Sequence, residues 1–187
     1  FSDEDIQTLF IDILNNTNDL KVQEKCNATR SYLADFVRYT SRDGDGSWLD
    51  TKEIFHDLFT RVTTGTGASA VTEWKYFGKM SMGRMEGDHW LASLIYLYMN
   101  GWAGGVTPAK VFKFYRETSQ EHGHEFGWNF KKKLSTNSFP NLENDIIRLL
   151  DIGKRFGDYV LKHADKSYLR PNFMLFVLLF INDRMTN

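Results

Sequence analysis

The chain has 187 residues, of which 42% are hydrophobic and 15% aromatic, enough to build the core of one compact domain or of two small, closely packed halves. Its 23 basic and 24 acidic residues give a formal net charge of −1, which provides no electrostatic field for nucleic acid or for an anionic membrane. The single cysteine, Cys26, cannot form an internal disulfide, so nothing requires an oxidising compartment.

The first two predicted elements are amphipathic helices. Apolar residues recur at helical spacing from Ile6 to Leu14, which predicts a helix over residues 3–14. A second helix is predicted over residues 29–40, where Leu33 and Val37 fall on one face. A polar stretch separates the two helices.

Residues 41–54 have the spacing of a calcium-binding loop between two helices. Such a loop takes oxygen ligands from its first, third and fifth positions, glycine at the sixth, an apolar residue at the eighth and a bidentate glutamate at the twelfth. Counted from Ser41, the sixth position is Gly46 and the eighth is Trp48, whereas the twelfth is Lys52. The predicted ligands of one weakly held Ca²⁺ are Ser41, Asp43, Asp45 and Glu53. A metal-free turn rich in Asp and Gly is the alternative.

Apolar periodicity next predicts a helix over residues 51–62 and a helical stretch over residues 71–82 around Val71 and Trp74. The segment between them, Thr63–Ala70, has the small-residue composition TTGTGASA. This composition is typical of a flexible connector, and it marks a candidate boundary between substructures.

Four further helices are predicted in the rest of the chain, over residues 89–99, 109–117, 143–161 and 171–182. The last of these contains the most apolar run of the sequence, Phe173–Ile181. A membrane span needs about 20 apolar residues, and this run is much shorter. We therefore predict a buried helix and no membrane span.

A similar pattern follows Leu49, Val106 and Leu169. Each of these apolar residues precedes a helix-start pair, and proline takes the second place of that pair at Pro108 and Pro171. Any three amphipathic helices could share such a spacing. A glycine-rich or polar loop before two of the apolar residues nevertheless favours an internal repeat.

The motif at residues 41–54, the imperfect repeats and the aromatic content resemble the sarcoplasmic calcium-binding protein group of the EF-hand superfamily, which includes calexcitin-like and luciferin-binding members. The resemblance covers most of residues 28–182. It implies an all-α fold of paired helix–loop–helix units around one apolar core, with the eighth-position residues of paired loops meeting in short strands. The second and fourth loops depart from the pattern, because Lys110 and Phe173 hold their twelfth positions, so at most one metal site is expected.

A single domain over residues 1–187 is predicted, with an N-terminal half of about residues 1–118 and a C-terminal half of about residues 119–187. The chain begins at Phe1, so an N-terminal segment is expected to have been removed. A cytoplasmic location is predicted, and secretion stays open.

A small-molecule hypothesis rests on the aromatic content, which is five Trp, eight Tyr and fifteen Phe residues. Aromatic side chains with a polar tip suit an apolar pocket that orients a small molecule by a few hydrogen bonds. The residues predicted to line such a pocket are Trp48, Trp74, His89, Trp90, Trp102 and Trp128. An aromatic-rich core is the alternative for each of them.

The sequence contains neither a phosphate-binding glycine loop nor a G-x-S-x-G elbow, so a non-enzymatic protein is expected. We predict a binding protein of degenerate EF-hand type that holds a small apolar or aromatic ligand, or a protein partner. A calcium buffer or sensor with one working site is one alternative. The other is a helical interaction module of the Bcl-2 kind, which offers a groove to a partner helix.

Overall fold

Most of the described residues are helical, and they also include one small sheet. The computed structural model describes residues 33, 37, 52–78, 86–101, 105–117 and 139–186. Within these residues the elements are α1 (Glu53–Leu58), β1 (Arg61–Thr64), β2 (Val71–Trp74), α2 (Glu86–Asn100), α3 (Pro108–Glu117), α4 (Leu142–His163) and α5 (Pro171–Thr186). Leu33 and Val37 are also helical, and both are buried. The predicted helical class is therefore confirmed in its coarse form, with a two-stranded sheet added to it.

The chain divides into two compact units, and each unit is built from two separate stretches. The first unit takes residues 1–49 and 83–140, and the second takes residues 50–82 and 141–187. The predicted helices over residues 89–99 and 109–117 correspond to α2 and α3 in the first unit. Those over residues 143–161 and 171–182 correspond to α4 and α5 in the second unit.

In the first unit, α2 and α3 form a helix–loop–helix pair. Pro108 begins α3, and the hydroxyl of Thr107 accepts a hydrogen bond from the backbone N–H of Lys110 at 3.3 Å, which caps the helix. The rings of Tyr96 and Phe114 meet edge to face, with centroids 5.5 Å apart. Apolar and aromatic contacts of this kind stabilise the pair.

In the second unit, α4 is the central element. A side chain at Gly153 would meet Leu58 of α1 at 3.6 Å and Leu178 of α5 at 3.5 Å, so both helices approach α4 closely at this glycine. The guanidinium of Arg148 donates a 2.5 Å hydrogen bond to the side-chain oxygen of Asn182, which joins α4 to the last turns of α5. These contacts place α1 and α5 against one long helix.

The connecting segments of the two helix–loop–helix pairs have the same length. Residues 101–107 join α2 to α3, residues 164–170 join α4 to α5, and each following helix begins with a proline. Val106 and Leu169 precede these prolines by two residues, as the internal repeat predicts. Neither residue lies in a strand. Because Trp48 is outside the described residues, its pairing with Val106 in an EF-hand arrangement stays a prediction.

A β-hairpin occupies the region that was predicted to be a connector followed by a helix. Strands β1 and β2 are antiparallel, with Arg61 opposite Trp74 and Thr64 opposite Val71. The prediction of a helix over residues 71–82 is therefore wrong across β2, and the predicted helix over residues 51–62 ends four residues early, at Leu58.

Local chemistry explains this hairpin. Valine and threonine make up five of the eight strand residues, and branching at their Cβ atoms favours extended backbone over helix. Gly65 and Gly67 have φ angles of +87° and +62°, which residues with a Cβ rarely adopt, so the small-residue segment makes a defined turn. The apolar periodicity of residues 71–82 predicts a helix, but its buried residues belong to other elements. Trp74 is the last residue of β2 and Phe77 lies in the turn that follows, and both are buried.

Candidate functional site

The predicted calcium ligands are only partly within the described residues. Ser41, Asp43 and Asp45 lie outside them, and Glu53 is exposed at the first position of α1. Across the described ranges, no three His, Cys, Asp or Glu side chains are grouped closely enough to hold a metal ion. A calcium site at residues 41–53 therefore stays a prediction.

The predicted pocket residue Trp74 is a core residue of the second unit. Its ring meets Phe59 edge to face at 5.6 Å, and Phe59 in turn stacks on Phe77 at 5.0 Å. The guanidinium carbon of Arg61 lies 4.9 Å from the centre of the Trp74 ring on the solvent side of the hairpin strand. At this residue the geometry is that of an aromatic core.

Of the other five predicted pocket residues, two lie in the described part of the first unit and three lie outside the described residues. Trp90 is buried in α2 and His89 is half-buried beside it. Trp48, Trp102 and Trp128 lie outside the described residues. His89 and Trp90 belong to the first unit, and Trp74 belongs to the second.

Sequence reasoning did not find a polar cluster that joins the hairpin to α4. The hydroxyl of Tyr76 donates a 2.7 Å hydrogen bond to Asp158, whose other carboxylate oxygen accepts one from Lys154 at 2.9 Å. The ammonium of Lys75 lies 3.7 Å from the same carboxylate and 4.7 Å from the centre of the Tyr76 ring. Tyr76 itself is almost fully buried.

The ionisation of this cluster fits a structural role. Hydrogen bonds from Tyr76 and Lys154 lower the pKa of Asp158 below its usual value, and burial raises the pKa of Tyr76 above its usual value. The phenol therefore stays protonated at neutral pH, and its hydroxyl donates its proton in the hydrogen bond to Asp158. A tyrosine that acts as a general base or a nucleophile needs a lowered pKa and an open approach, so we interpret Tyr76 as a clamp that fixes the hairpin to α4.

The second feature missed by sequence reasoning is a row of exposed aromatic rings, which we call the aromatic ridge. It consists of Tyr168 and of Phe173, Phe176 and Phe180 on α5. Their exposed fractions are 51%, 37%, 57% and 49%. Successive ring centres along the ridge are 5.7, 6.4 and 6.2 Å apart, so the rings form a continuous row.

The opposite face of α5 is buried, with Met174, Leu175, Leu178 and Leu179 in the core of the second unit. The run Phe173–Ile181 is therefore a helix with one buried and one exposed apolar face, and the prediction of a buried helix is only half correct. A helix that is apolar all round normally has both faces covered. Large exposed apolar patches on globular proteins usually mark interaction sites.

Charged side chains make the two ends of the ridge different. At its start, Lys162, Lys166 and Arg170 are exposed together with Asp165, which gives a local net charge of +2. We call these three basic residues the basic rim. At its end, Asp183 and Arg184 balance each other, and the Arg184 guanidinium lies 5.3 Å from the centre of the Phe180 ring. The ridge is therefore electrically polarised, unlike the chain as a whole.

No protein-family model matches this sequence, no curated protein matches it, and no solved structure matches its fold. The resemblance to the EF-hand superfamily accordingly stays a prediction. None of the described helices is long and apolar enough to cross a membrane.

Proposed function

We propose that this protein is a non-enzymatic binding protein that recognises a protein partner through the aromatic ridge. The observation that carries the proposal is the exposure of three phenylalanines, at positions 173, 176 and 180, on a helix whose other face is already buried. Of the functions predicted from the sequence, partner binding is the one that this surface supports. The predicted small apolar ligand has no comparable support at Trp74, which packs against Phe59.

The spacing of the ridge suits packing against another protein. Residues three and seven positions apart lie on one face of a helix, and seven residues span about 10 Å along its axis. Phe173 and Phe176 are nearly parallel at 28°, and Phe176 and Phe180 at 17°, so the rings form one raised edge. Such an edge fits between the side-chain rows of a second element, as ridges fit into grooves in helix packing. Aromatic residues of this kind are enriched among the residues that dominate interface energy.

Peptide selection tests the proposal. Random 16-residue peptides displayed on phage are selected on the immobilised full chain, and their affinities are then measured on variants. We expect Phe176→Ser and Phe180→Ser each to weaken the selected peptides by about tenfold or more, because buried aromatic anchors contribute on the order of 2 kcal/mol.

Val71→Ser is the matched control, because Val71 is an exposed apolar residue of the same unit in the hairpin. The selected peptides should bind this variant as they bind the unmodified chain. Peptides that bind Phe176→Ser and Phe180→Ser with unchanged affinity would overturn the proposal. Circular dichroism confirms that each variant keeps its helical content.

We also propose that the chain has the helix–loop–helix organisation of a degenerate EF-hand protein. The support is that the loops of the α2–α3 and α4–α5 pairs are equally long and that the second helix of each pair begins with proline. Calorimetric titration with Ca²⁺ is expected to show at most one weak site, which Asp45→Ala removes. Two or more tight sites would contradict this expectation.

A further inference from the structure

The charge at the start of the aromatic ridge indicates which kind of partner it binds. Lys166 and Arg170 lie two residues before and two residues after Tyr168, whose ring contacts Phe173 at 5.7 Å. Both basic residues are exposed. They therefore lie beside the apolar surface that the proposed function uses.

Helix stability accounts for Lys162 but not for Arg170. Lys162 is in the last turn of α4, where a cation favourably meets the negative end of the helix dipole. Arg170 directly precedes α5, where a cation meets the positive end, and the first turn of α5 has no acidic residue to offset it. The nearby carboxylate of Asp165 accepts a hydrogen bond from the backbone N–H of Ser167 at 2.7 Å. The Asp165 carboxylate also attracts Arg170, but one carboxylate balances only one of the three cations, so the start of the ridge keeps a local net charge of +2.

We infer that the aromatic ridge binds an α-helical segment of a protein partner, with an apolar stripe along Phe173, Phe176 and Phe180 and with carboxylates at the end that meets Lys166 and Arg170. This inference rests on the proposed function. Carboxylates there gain Coulomb energy from the basic rim, whereas the balanced pair of Asp183 and Arg184 at the other end favours neither sign.

Two other occupants fit less well. A second copy of this chain packed in the same direction would place like charges together, which is unfavourable, and packed antiparallel it would offer the basic rim only the balanced pair of Asp183 and Arg184. An anionic membrane is usually recognised by clusters of about four to eight basic residues, and the net charge of +2 around the start of the ridge is small by that measure. The same experiments can detect either of these two occupants.

Two synthetic helical peptides provide the probe. They share length and a leucine stripe at positions i, i+3 and i+7, and they differ only in having two glutamates or two lysines at one end. Fluorescence anisotropy with the full chain is expected to show about five- to tenfold tighter binding of the glutamate peptide, since two partly exposed charge pairs contribute on the order of 1 kcal/mol. The preference should shrink at high salt, because exposed charges are screened.

The double variant Lys166→Glu, Arg170→Glu should reverse the preference, and Phe176→Ser should weaken both peptides. If the two peptides bind with equal affinity and Phe176→Ser abolishes the binding of both, the inference of an acidic partner is wrong. The proposed function would still hold in that case. If neither peptide binds while phage-selected peptides still depend on Phe176, the helical occupant is overturned. If the chain forms a dimer in solution that Phe176→Ser dissociates, the ridge binds a second copy of the chain and not a helix of another protein. If the chain binds vesicles of phosphatidylserine and phosphatidylcholine in a way that depends on Phe176, the ridge binds a membrane.

Discussion

Tyr76 and Phe176 are both aromatic residues of the second unit, but the structure uses them in opposite ways. The Tyr76 ring lies against the backbone of Gly157 on α4, and its hydroxyl donates to Asp158. The Phe176 ring stands on the outer face of α5, more than half exposed, between Phe173 and Phe180. Aromatic content alone therefore does not distinguish core residues from surface residues. The Tyr76 ring is buried with its hydroxyl hydrogen-bonded and with a glycine beside it, whereas the Phe176 ring has no polar atom and is more than half exposed.

The two faces of α5 give the largest expected difference. Leu178→Ala should lower the free energy of unfolding by about 3 kcal/mol, because Leu178 is fully buried against α4 and the substitution leaves a cavity. Phe176→Ala should change it by less than about 0.5 kcal/mol, since exposed side chains contribute little to stability. Urea unfolding followed by circular dichroism measures both. A comparable loss in the two variants would mean that another part of the chain covers the ridge.

Two glycines on α4 sharpen the account of the Tyr76 clamp. A methyl group at Gly157 would overlap the Tyr76 ring, so Gly157→Ala should destabilise the fold by about 1–2 kcal/mol even after the gain in helix propensity. Gly153→Ala is the matched control one turn earlier, where the added methyl meets its neighbours at 3.5–3.6 Å, an ordinary contact distance. We expect this control to be neutral or slightly stabilising in thermal unfolding. Equal destabilisation by both substitutions would contradict the close approach of Tyr76.

Removal of one hydroxyl tests the polar part of the clamp. Tyr76→Phe should cost about 1 kcal/mol of unfolding free energy, because it deletes the hydrogen bond to Asp158 and keeps the ring in place. Tyr168→Phe makes the same chemical change on the exposed ridge and should be neutral within about 0.5 kcal/mol. Chemical denaturation of the two variants measures both changes in the free energy of unfolding. Equal changes would contradict the distinction between the buried clamp and the exposed ridge.

The smallest expected effect is a dependence of stability on pH. The pKa of Asp158 is lowered in the folded state by hydrogen bonds from Tyr76 and Lys154, so its contribution is present above the unfolded pKa of 3.8 and is lost as pH falls below that value. Because the carboxylate is partly exposed, we expect a contribution below about 1 kcal/mol.

Unfolding measured at several pH values between about 6 and 2.5 should show that Asp158→Asn flattens the acid limb of the stability profile. Asp151→Asn is the control, because Asp151 forms an ion pair with Arg155 on the same helix and lies outside the clamp. An acid limb that is unchanged in Asp158→Asn would show that the clamp does not depend on the charge of this carboxylate.

The sequence predicted those parts of the fold that depend on local periodicity. Helices α2 to α5 follow from apolar residues at a spacing of 3.6, and the starts of α3 and α5 follow from Pro108 and Pro171. The hairpin was missed because strands of four residues contain too few positions for a period of two to stand out against a period of 3.6. Five of the six predicted pocket residues lie outside the described residues or in the other unit from Trp74, and three of the four predicted calcium ligands lie outside the described residues, so the sequence predictions for those sites stay predictions.

By itself, then, the sequence determined a helical chain with an internal helix–loop–helix repeat, because capping and periodicity are properties of neighbouring residues. Only the tertiary structure decided which apolar surface is buried. Leu178 and Phe180 lie two positions apart in one apolar run, and the position of α4 buries the first and leaves the second exposed. Likewise, Tyr76 and Asp158 are distant in sequence, and they meet because Gly157 lets the hairpin approach the helix. Burial depends on what lies opposite a residue in space, and periodicity along the chain does not contain that information.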